Sequence, residues 1–208
     1  MKNFHLVEHP ILKHKLGYLR DKETRSSEFR SIIKEMSRLI AYEATREMNT
    51  SSTTVETPMA TANVDRIEEK PIIVSIMRAG NGMLDGLLSM LPFASAGHIG
   101  IYRDKFIQNT VEYYFKLPDD CKSRPILLAD PLLATADTAI ACVDRLKQYE
   151  VGPIKMLCIL VSNEGLERLH HFHPDVEVYA VAKEEGLTKD GYLLPGLGDA
   201  GSRLYQTS

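Results

Sequence analysis

Tryptophan is absent from this chain of 208 residues, and cysteine is limited to Cys121, Cys142 and Cys158. An odd, widely spaced set with no Cys-x-x-Cys pair speaks against a disulfide framework and against the common zinc spacings. Cys142 and Cys158 sit inside apolar patterns and read as small buried hydrophobes, whereas Cys121 lies in a polar turn. Long apolar runs are missing too: none approaches the ~20 residues a membrane-spanning helix needs. The segment Met1–Pro10 mixes Lys2, His5, Glu8 and His9 among apolar residues and has no signal-peptide core. A cytoplasmic location is the expectation. Positive charge is not in excess, with 25 Lys and Arg against 28 Asp and Glu and a net charge of −3. That balance excludes the electrostatic footprint of a nucleic-acid or acidic-membrane binder. Internal repeats and low-complexity linkers are lacking as well.

What is present suits one domain, residues 1–208, with 44% apolar residues to build a core. Thr24–Glu47 carries Phe29, Ile32, Ile33, Met36, Leu39, Ile40 and Ala44 at three- and four-residue spacing, which predicts a long amphipathic helix with Thr24 as its N-cap. Arg25, Arg30, Lys34 and Arg38 read as its solvated face. Met48–Glu56 is rich in Ser and Thr and reads as exposed. Short apolar runs at Pro71–Met77, His98–Tyr102, Pro125–Ala129, Lys155–Val161 and Asp175–Val181 predict strands, and Met83–Leu91, Ala139–Tyr149 and Asn163–His171 predict helices between them. This alternation predicts an α/β fold with a mostly parallel sheet flanked by helices. Arg103–Lys116, polar, aromatic and alternating, predicts an exposed β-arm. His170, His171 and His173 read as solvated residues, since adjacent helical histidines do not share a face.

The segment Pro125–Tyr149 says most about chemistry. A strand ends at Asp130, a small-residue and hydroxyl loop follows (Pro131, Leu132, Leu133, Ala134, Thr135, Ala136, Asp137, Thr138), and a helix begins. Free backbone N–H groups and the positive end of a helix dipole suit a sugar phosphate there, and a carboxylate at the strand end accepts hydrogen bonds from sugar hydroxyls. Arg78, in Arg78-Ala79-Gly80-Asn81-Gly82, and Arg103 also follow predicted strands. Ligands of parallel sheets bind beyond the strands' carboxyl ends, which gathers Arg78, Arg103 and Asp130 at one edge. Two arginines, a carboxylate and a phosphate-type helix start suit a sugar phosphorylated at both ends, such as phosphoribosyl diphosphate. The tail Gly186–Gly201 breaks the pattern with Pro195 and five glycines, Gly186, Gly191, Gly196, Gly198 and Gly201, and reads as a structured cap.

Over nearly its whole length the sequence resembles the uracil phosphoribosyltransferases. The resemblance rests on Tyr42-Glu43-Ala44-Thr45, Arg78-Ala79-Gly80-Asn81-Gly82-Met83, Tyr102-Arg103-Asp104 and, most specific, Gly191-Tyr192-Leu193-Leu194-Pro195-Gly196-Leu197-Gly198-Asp199-Ala200-Gly201. It implies the type I phosphoribosyltransferase fold, with residues 186–208 as a hood over the active site and a protruding β-arm. It implies transfer of the 5-phosphoribosyl group to uracil, giving UMP and diphosphate. By resemblance Arg78, Arg103, Asp130 and Asp199 serve catalysis, with Arg78 and Arg103 on the diphosphate and Asp130 on the ribose. The stretch from Pro131 to Thr138 takes the 5′-phosphate, and Leu193, Gly198, Asp199 and Ala200 meet uracil largely through main-chain atoms. Mg²⁺, held mainly by substrate and not by dedicated protein ligands, is the implied cofactor. A GTP activator and a homodimer or higher homo-oligomer are implied for partners.

The chain departs from the family at Ser202, Tyr205 and Gln206, and most sharply at Ala136 and Asp137, where glycine or a small neutral residue is usual. Two readings of Asp137 stand. It is the N-cap of the following helix and turns its carboxylate into the anion site, or it points to solvent and leaves its N–H to the phosphate. An alanine forced to positive φ at position 136 costs roughly 1–2 kcal/mol. A working enzyme with retuned donor binding is expected; the alternative is a degenerate homologue that binds uracil, UMP or a protein partner without efficient turnover.

Overall fold

Ile72, Ile73, Val74, Ser75 and Ile76 are all buried, as are all of Ile126–Ala129 and Met156–Ser162. Continuous burial of this kind marks parallel strands covered on both faces. The computed structural model describes residues 3–103 and 110–207, Arg103 by its backbone only. Along the chain come β1 (Phe4–Leu6), α1 (Pro10–Arg20), α2 (Ser26–Ala44), β2 (Thr50–Glu56), β3 (Thr61–Ile67), β4 (Ile72–Met77), α3 (Asn81–Met90), β5 (Ser95–Arg103) and β6 (Thr110–Lys116). Then follow β7 (Ile126–Ala129), β8 (Leu132–Leu133), α4 (Asp137–Lys147), β9 (Ile154–Ser162), α5 (Asn163–Phe172), β10 (Glu177–Glu184), β11 (Gly186–Leu187), β12 (Leu193–Leu194) and α6 (Ala200–Tyr205).

The main sheet runs β1-β10-β9-β7-β4-β5-β6, with β8 added to β9. Every neighbouring pair is parallel except β5 with β6. Strand side chains alternate between faces, and the core divides accordingly. Ile73, Leu127, Leu157, Ile159 and Val181 pack against Leu12, Leu16 and Leu19 of α1, Phe29, Ile33 and Met36 of α2, and Met83 and Leu87 of α3. The residues one step along, Ile72, Val74, Leu128, Met156 and Cys158, pack against Cys142, Val143 and Leu146 of α4 and Leu166 and Leu169 of α5.

Several expectations need correction. Thr24 does not cap α2: Arg25 occupies the N-cap with no side-chain capping bond, and the Thr24 hydroxyl donates to the Tyr18 carbonyl instead. The part of the expected β-arm that is described, Thr110–Lys116, is the antiparallel edge strand of the main sheet; residues 104–109 lie outside the described residues. It is fastened to α4 by Arg145, which pairs with Glu112 at 2.9 Å and lies 4.7 Å over the Phe115 ring. The exposed two-stranded ribbon is formed by β2 and β3, in the Ser/Thr-rich stretch and beyond it. His173 is buried, with Lys147 Nζ 3.3 Å from its Nδ1, and is not solvated. Arg30 is exposed, as expected of a solvated face, and also donates to the Leu204 carbonyl at 2.7 Å. All three cysteines are buried free thiols, Cys121 included. No helix among the described residues is long and apolar enough to cross a membrane.

Candidate active site

From β4 the chain moves outward to β5; from its other neighbour, β7, it moves the opposite way to β9 and β10. Connections that diverge from adjacent parallel strands leave a crevice at their carboxyl ends. Two loops leave β4 and β7 there.

The first follows a cis Met77–Arg78 peptide. A Cβ on Gly80 would stand 2.3 Å from the Ala129 carbonyl oxygen and 2.7 Å from the Ile76 nitrogen, so only glycine fits. Ser75, buried on β4, donates to Asn81 Oδ1 at 2.5 Å and lies 3.1 Å from His98 Nδ1, which fixes the start of α3. Arg78 itself is exposed.

The second loop, after β7, lines a cavity of about 110 Å³ with Asp130, Leu132, Leu133, Ala134, Thr135, Ala136, Asp137, Thr138 and Ala139. Pro131 is an anchor: its carbonyl accepts from Ile159 N at 2.9 Å and Leu160 N at 3.0 Å. Leu132 and Leu133 form β8 against β9, and Leu133 is buried. The Ala134 carbonyl accepts from Ser162 Oγ at 2.6 Å, and the Thr135 carbonyl accepts from Arg168 Nη1 at 2.9 Å. A planar trans peptide points each carbonyl opposite to the next N–H. Turning the carbonyls of Ala134 and Thr135 toward α5 therefore aims the Thr135 and Ala136 amides away from α5, the orientation an anion needs.

Ala136 sits in the left-handed region, φ 65° and ψ 0°, and occupies the N-cap of α4 with no side-chain cap. Asp137 is thus the first helical residue and not the cap. Its carboxylate neither points to solvent nor stands alone: Oδ1 is 2.5 Å from Arg168 Nη2, Oδ2 accepts from the Thr135 hydroxyl at 3.0 Å, and the side chain is 15% exposed. The Thr135 proton is directed to Asp137. Asp130 is half-buried at the end of β7. Its pKa is pushed up to about 7: burial is the main cause, a long backbone hydrogen bond from Leu132 opposes the rise, and the Asp199 carboxylate adds to it.

The C-terminal segment from Gly186 onward reaches both loops. β11 and β12 pair antiparallel, the Leu194–Pro195 bond is cis, and Gly191, Gly196 and Gly198 all have positive φ. Asp199 caps α6 by accepting from Ser202 N at 2.5 Å, so this oxygen is engaged locally while the charge still reaches Asp130. The Tyr205 hydroxyl donates to the Arg78 carbonyl at 3.1 Å, and a Cβ on Gly191 would lie 3.2 Å from Thr135 Cγ2. Leu193 and Ala200 are buried in the hood, and Gly198 is exposed. The anchor lies elsewhere. Arg203, stacked 4.3 Å over Phe29, donates to the carbonyls of Leu197 at 2.9 Å and Asp21 at 2.6 Å, and Arg20 donates to the Gly196 carbonyl at 2.8 Å while pairing with Glu184.

The structure thus gathers Arg78, the Asp130–Thr138 loop and the Leu193–Ala200 segment at one crevice; Arg103 closes β5, the neighbour of β4. Sequence reasoning missed Arg20, Ser162, Arg168 and Arg203, and it registered Tyr205 only as a departure. One signal was available: Ser162, Gly165 and Arg168 recur every three residues, from the N-cap of α5 into its second turn.

The family model described as Uracil phosphoribosyltransferase matches residues 6–207. The chain is 48% identical over 208 residues to the uracil phosphoribosyltransferase of Polaromonas naphthalenivorans (strain CJ2), with all of both chains covered. Among solved structures it is similar to the AQ2163 protein from Aquifex aeolicus, at a TM-score of 0.93, 30% identity and 99% of each chain covered. A hypoxanthine-guanine phosphoribosyltransferase from Bacillus anthracis str. 'Ames Ancestor' matches in fold alone, at a TM-score of 0.52 and 8% identity over 76% of this chain and 80% of that one.

Proposed function

The chain belongs to the uracil phosphoribosyltransferase family, and on that premise we infer that its crevice transfers the 5-phosphoribosyl group of phosphoribosyl diphosphate to uracil, giving UMP and diphosphate. The observation that carries this reading is the joining of three parts at one switch point. An anion-sized cavity lies on the β7–α4 loop, the half-buried Asp130 carboxyl lines it, and the glycine-rich hood is bonded to the Arg78 loop and lies close to Thr135.

The 5′-phosphate takes the cavity lined by Ala134–Thr138, where backbone amides and the start of α4 meet its charge. Asp130 accepts hydrogen bonds from the ribose hydroxyls. Arg78 and Arg103 hold the diphosphate through charge-assisted contacts. Main-chain groups of Leu193, Gly198 and Ala200 read the acceptor–donor–acceptor edge of uracil, and cytosine meets an unmatched donor there. Asp199 faces the ribose side. As the bond from ribose C1 to the diphosphate oxygen breaks, its electron pair leaves with the diphosphate and positive charge grows on the ribose, where Asp130 and Asp199 stabilise it; uracil N1 bonds to C1, its proton passes to the departing diphosphate, and the hood keeps water out.

Mg²⁺, as the resemblance implies, would be held mainly by the substrate and would supply positive charge to the departing diphosphate. Two cleft carboxylates are too few for an all-protein cage, and among the described residues no group of three or more His, Cys, Asp or Glu is placed to hold a metal. A homo-oligomer belongs to the same proposal, with exposed Leu39, Tyr42 and Met59 as apolar surface for a second copy to cover. So does a reducing, cytoplasmic setting, which suits three free thiols.

The test is UMP formation from uracil, phosphoribosyl diphosphate and Mg²⁺. Turnover with uracil and none with cytosine is expected; no UMP at millimolar donor overturns the reading.

A further inference from the structure

A carboxylate on a phosphate-binding loop is a liability. At a separation of ~5 Å it weakens the binding of one phosphate charge by roughly 4-fold in water-like surroundings and roughly 300-fold at an effective dielectric near 20. Asp137 is such a carboxylate, in the wall of the cavity assigned above to the 5′-phosphate. Yet neither of its oxygens is left open to the anion: one meets Arg168 Nη2 at 2.5 Å and the other accepts from the Thr135 hydroxyl. The second guanidinium nitrogen of Arg168 donates to the Thr135 carbonyl at 2.9 Å. Arg168 is also the last of three residues, at the N-cap and in the first turns of α5, that brace this loop. Ser162 holds the Ala134 carbonyl, and Gly165 packs so closely that a Cβ would stand 2.3 Å from that same oxygen.

We propose that Arg168 is a positioning residue of the 5′-phosphate loop, neutralising Asp137 and holding the Thr135 carbonyl outward so that backbone amides and not a carboxylate meet the phosphate. This rests on the phosphoribosyl reading of the cavity. Arg168 does not touch substrate; it acts through Asp137 and Thr135. Its importance is therefore conditional on the acid, and the two residues form one functional unit.

A double-mutant cycle tests this. Arg168→Ala raises the KM for phosphoribosyl diphosphate by roughly 10- to 100-fold, because a desolvated carboxylate loses its partner beside an anion. The KM for uracil changes by less than ~2-fold, since the hood is anchored by other residues. Adding Asp137→Gly to Arg168→Ala returns the donor KM to within ~5-fold of the starting value, because the unpaired charge is gone. Arg168→Lys keeps the charge without the fork and falls between. Calorimetric binding of ribose 5-phosphate follows the same order without turnover. The Arg168 side chain is 42% exposed, so Tm falls by only ~1–4 °C in the single variant.

Arg168→Ala indistinguishable from the starting protein overturns the proposal. So does a donor-KM defect that Asp137→Gly leaves unrepaired, which would make Arg168 a direct phosphate ligand or a plain structural prop. A starting protein that makes no UMP and binds no ribose 5-phosphate fails differently, for it removes the phosphoribosyl reading itself.

Discussion

The two loops that flank the switch point, both proposed above to bring backbone close to an anion, are held under different constraints. In the loop after β4, Gly80 is walled in by backbone: a methyl would stand 2.3 Å from the Ala129 oxygen, although the Gly80 φ of −58° is open to any residue. In the loop after β7 the constraint is purely dihedral. Ala136 is held at φ 65°, but its methyl has a place, 4% exposed in the α4–α5 core. Glycine is irreplaceable where rigid backbone fills the space. It is negotiable where only the torsion is unfavourable, because a buried methyl offsets part of the strain. The left-handed conformation costs an alanine roughly 1–2 kcal/mol, while burying one methyl returns ~0.8 kcal/mol. Position 137 continues the contrast, for there the unusual residue is accommodated by a partner on another helix.

Substitution breaks the comparison most sharply at position 80. Gly80→Ala must move two strands' backbone and costs roughly 3 kcal/mol or more, a large part of a typical net stability of ~5–15 kcal/mol; urea unfolding measures it. Wild-type-like stability there would show that the wall yields.

Asp130 gives the next largest effect. Its pKa lies near 7 against an ordinary 3.8, with burial as the main cause. Its contribution to folding is therefore complete below about pH 4 and is lost as pH rises through about 7, because ionising a buried carboxyl penalises the folded state. Carboxyl carbon NMR of the ligand-free protein should show one aspartate titrating near neutrality. Asp199→Asn removes a repelling charge and moves that midpoint to lower pH. A midpoint in the ordinary carboxylate range contradicts the geometry.

Tyr205→Phe deletes the bond from the hood to the Arg78 carbonyl. A loss of ~1 kcal/mol is expected, read as a roughly 2- to 5-fold rise in both substrates' KM with kcat little changed. Smallest is Ala136→Gly. Relief of strain is set against a lost methyl and a more flexible unfolded chain, so the net change stays within ~1 kcal/mol. A gain well beyond that would show that the methyl contributes nothing.

Legibility in the sequence follows the range of the interactions involved. Strands such as Ile126–Ala129 announced themselves because burial on both faces demands unbroken apolar runs. Asp130 and the loop after it were readable as a strand end followed by a helix start. The ribbon of β2 and β3 carried no such signal, since most of its side chains are exposed and none is fully buried. In its place the alternating Val111, Tyr113 and Phe115 suggested an arm, while their β6 serves as the sheet edge. Asp137 was misplaced by one residue because aspartate favours N-caps, and nothing local reveals that Ala136 takes that position with positive φ. Its ion pair with Arg168 spans thirty-one positions (168 − 137), and such pairs are set by how α5 packs on the loop. The hood's anchors, Arg20 and Arg203, were likewise illegible, because they bind carbonyls that only the folded chain brings near.

The most direct measurement of the central claim is hydrogen exchange with and without UMP. One ligand bridging the β7–α4 loop and the hood must slow exchange in residues 134–138 and 193–200 together, with the same dependence on UMP concentration. Protection of one segment alone, or of neither, contradicts it.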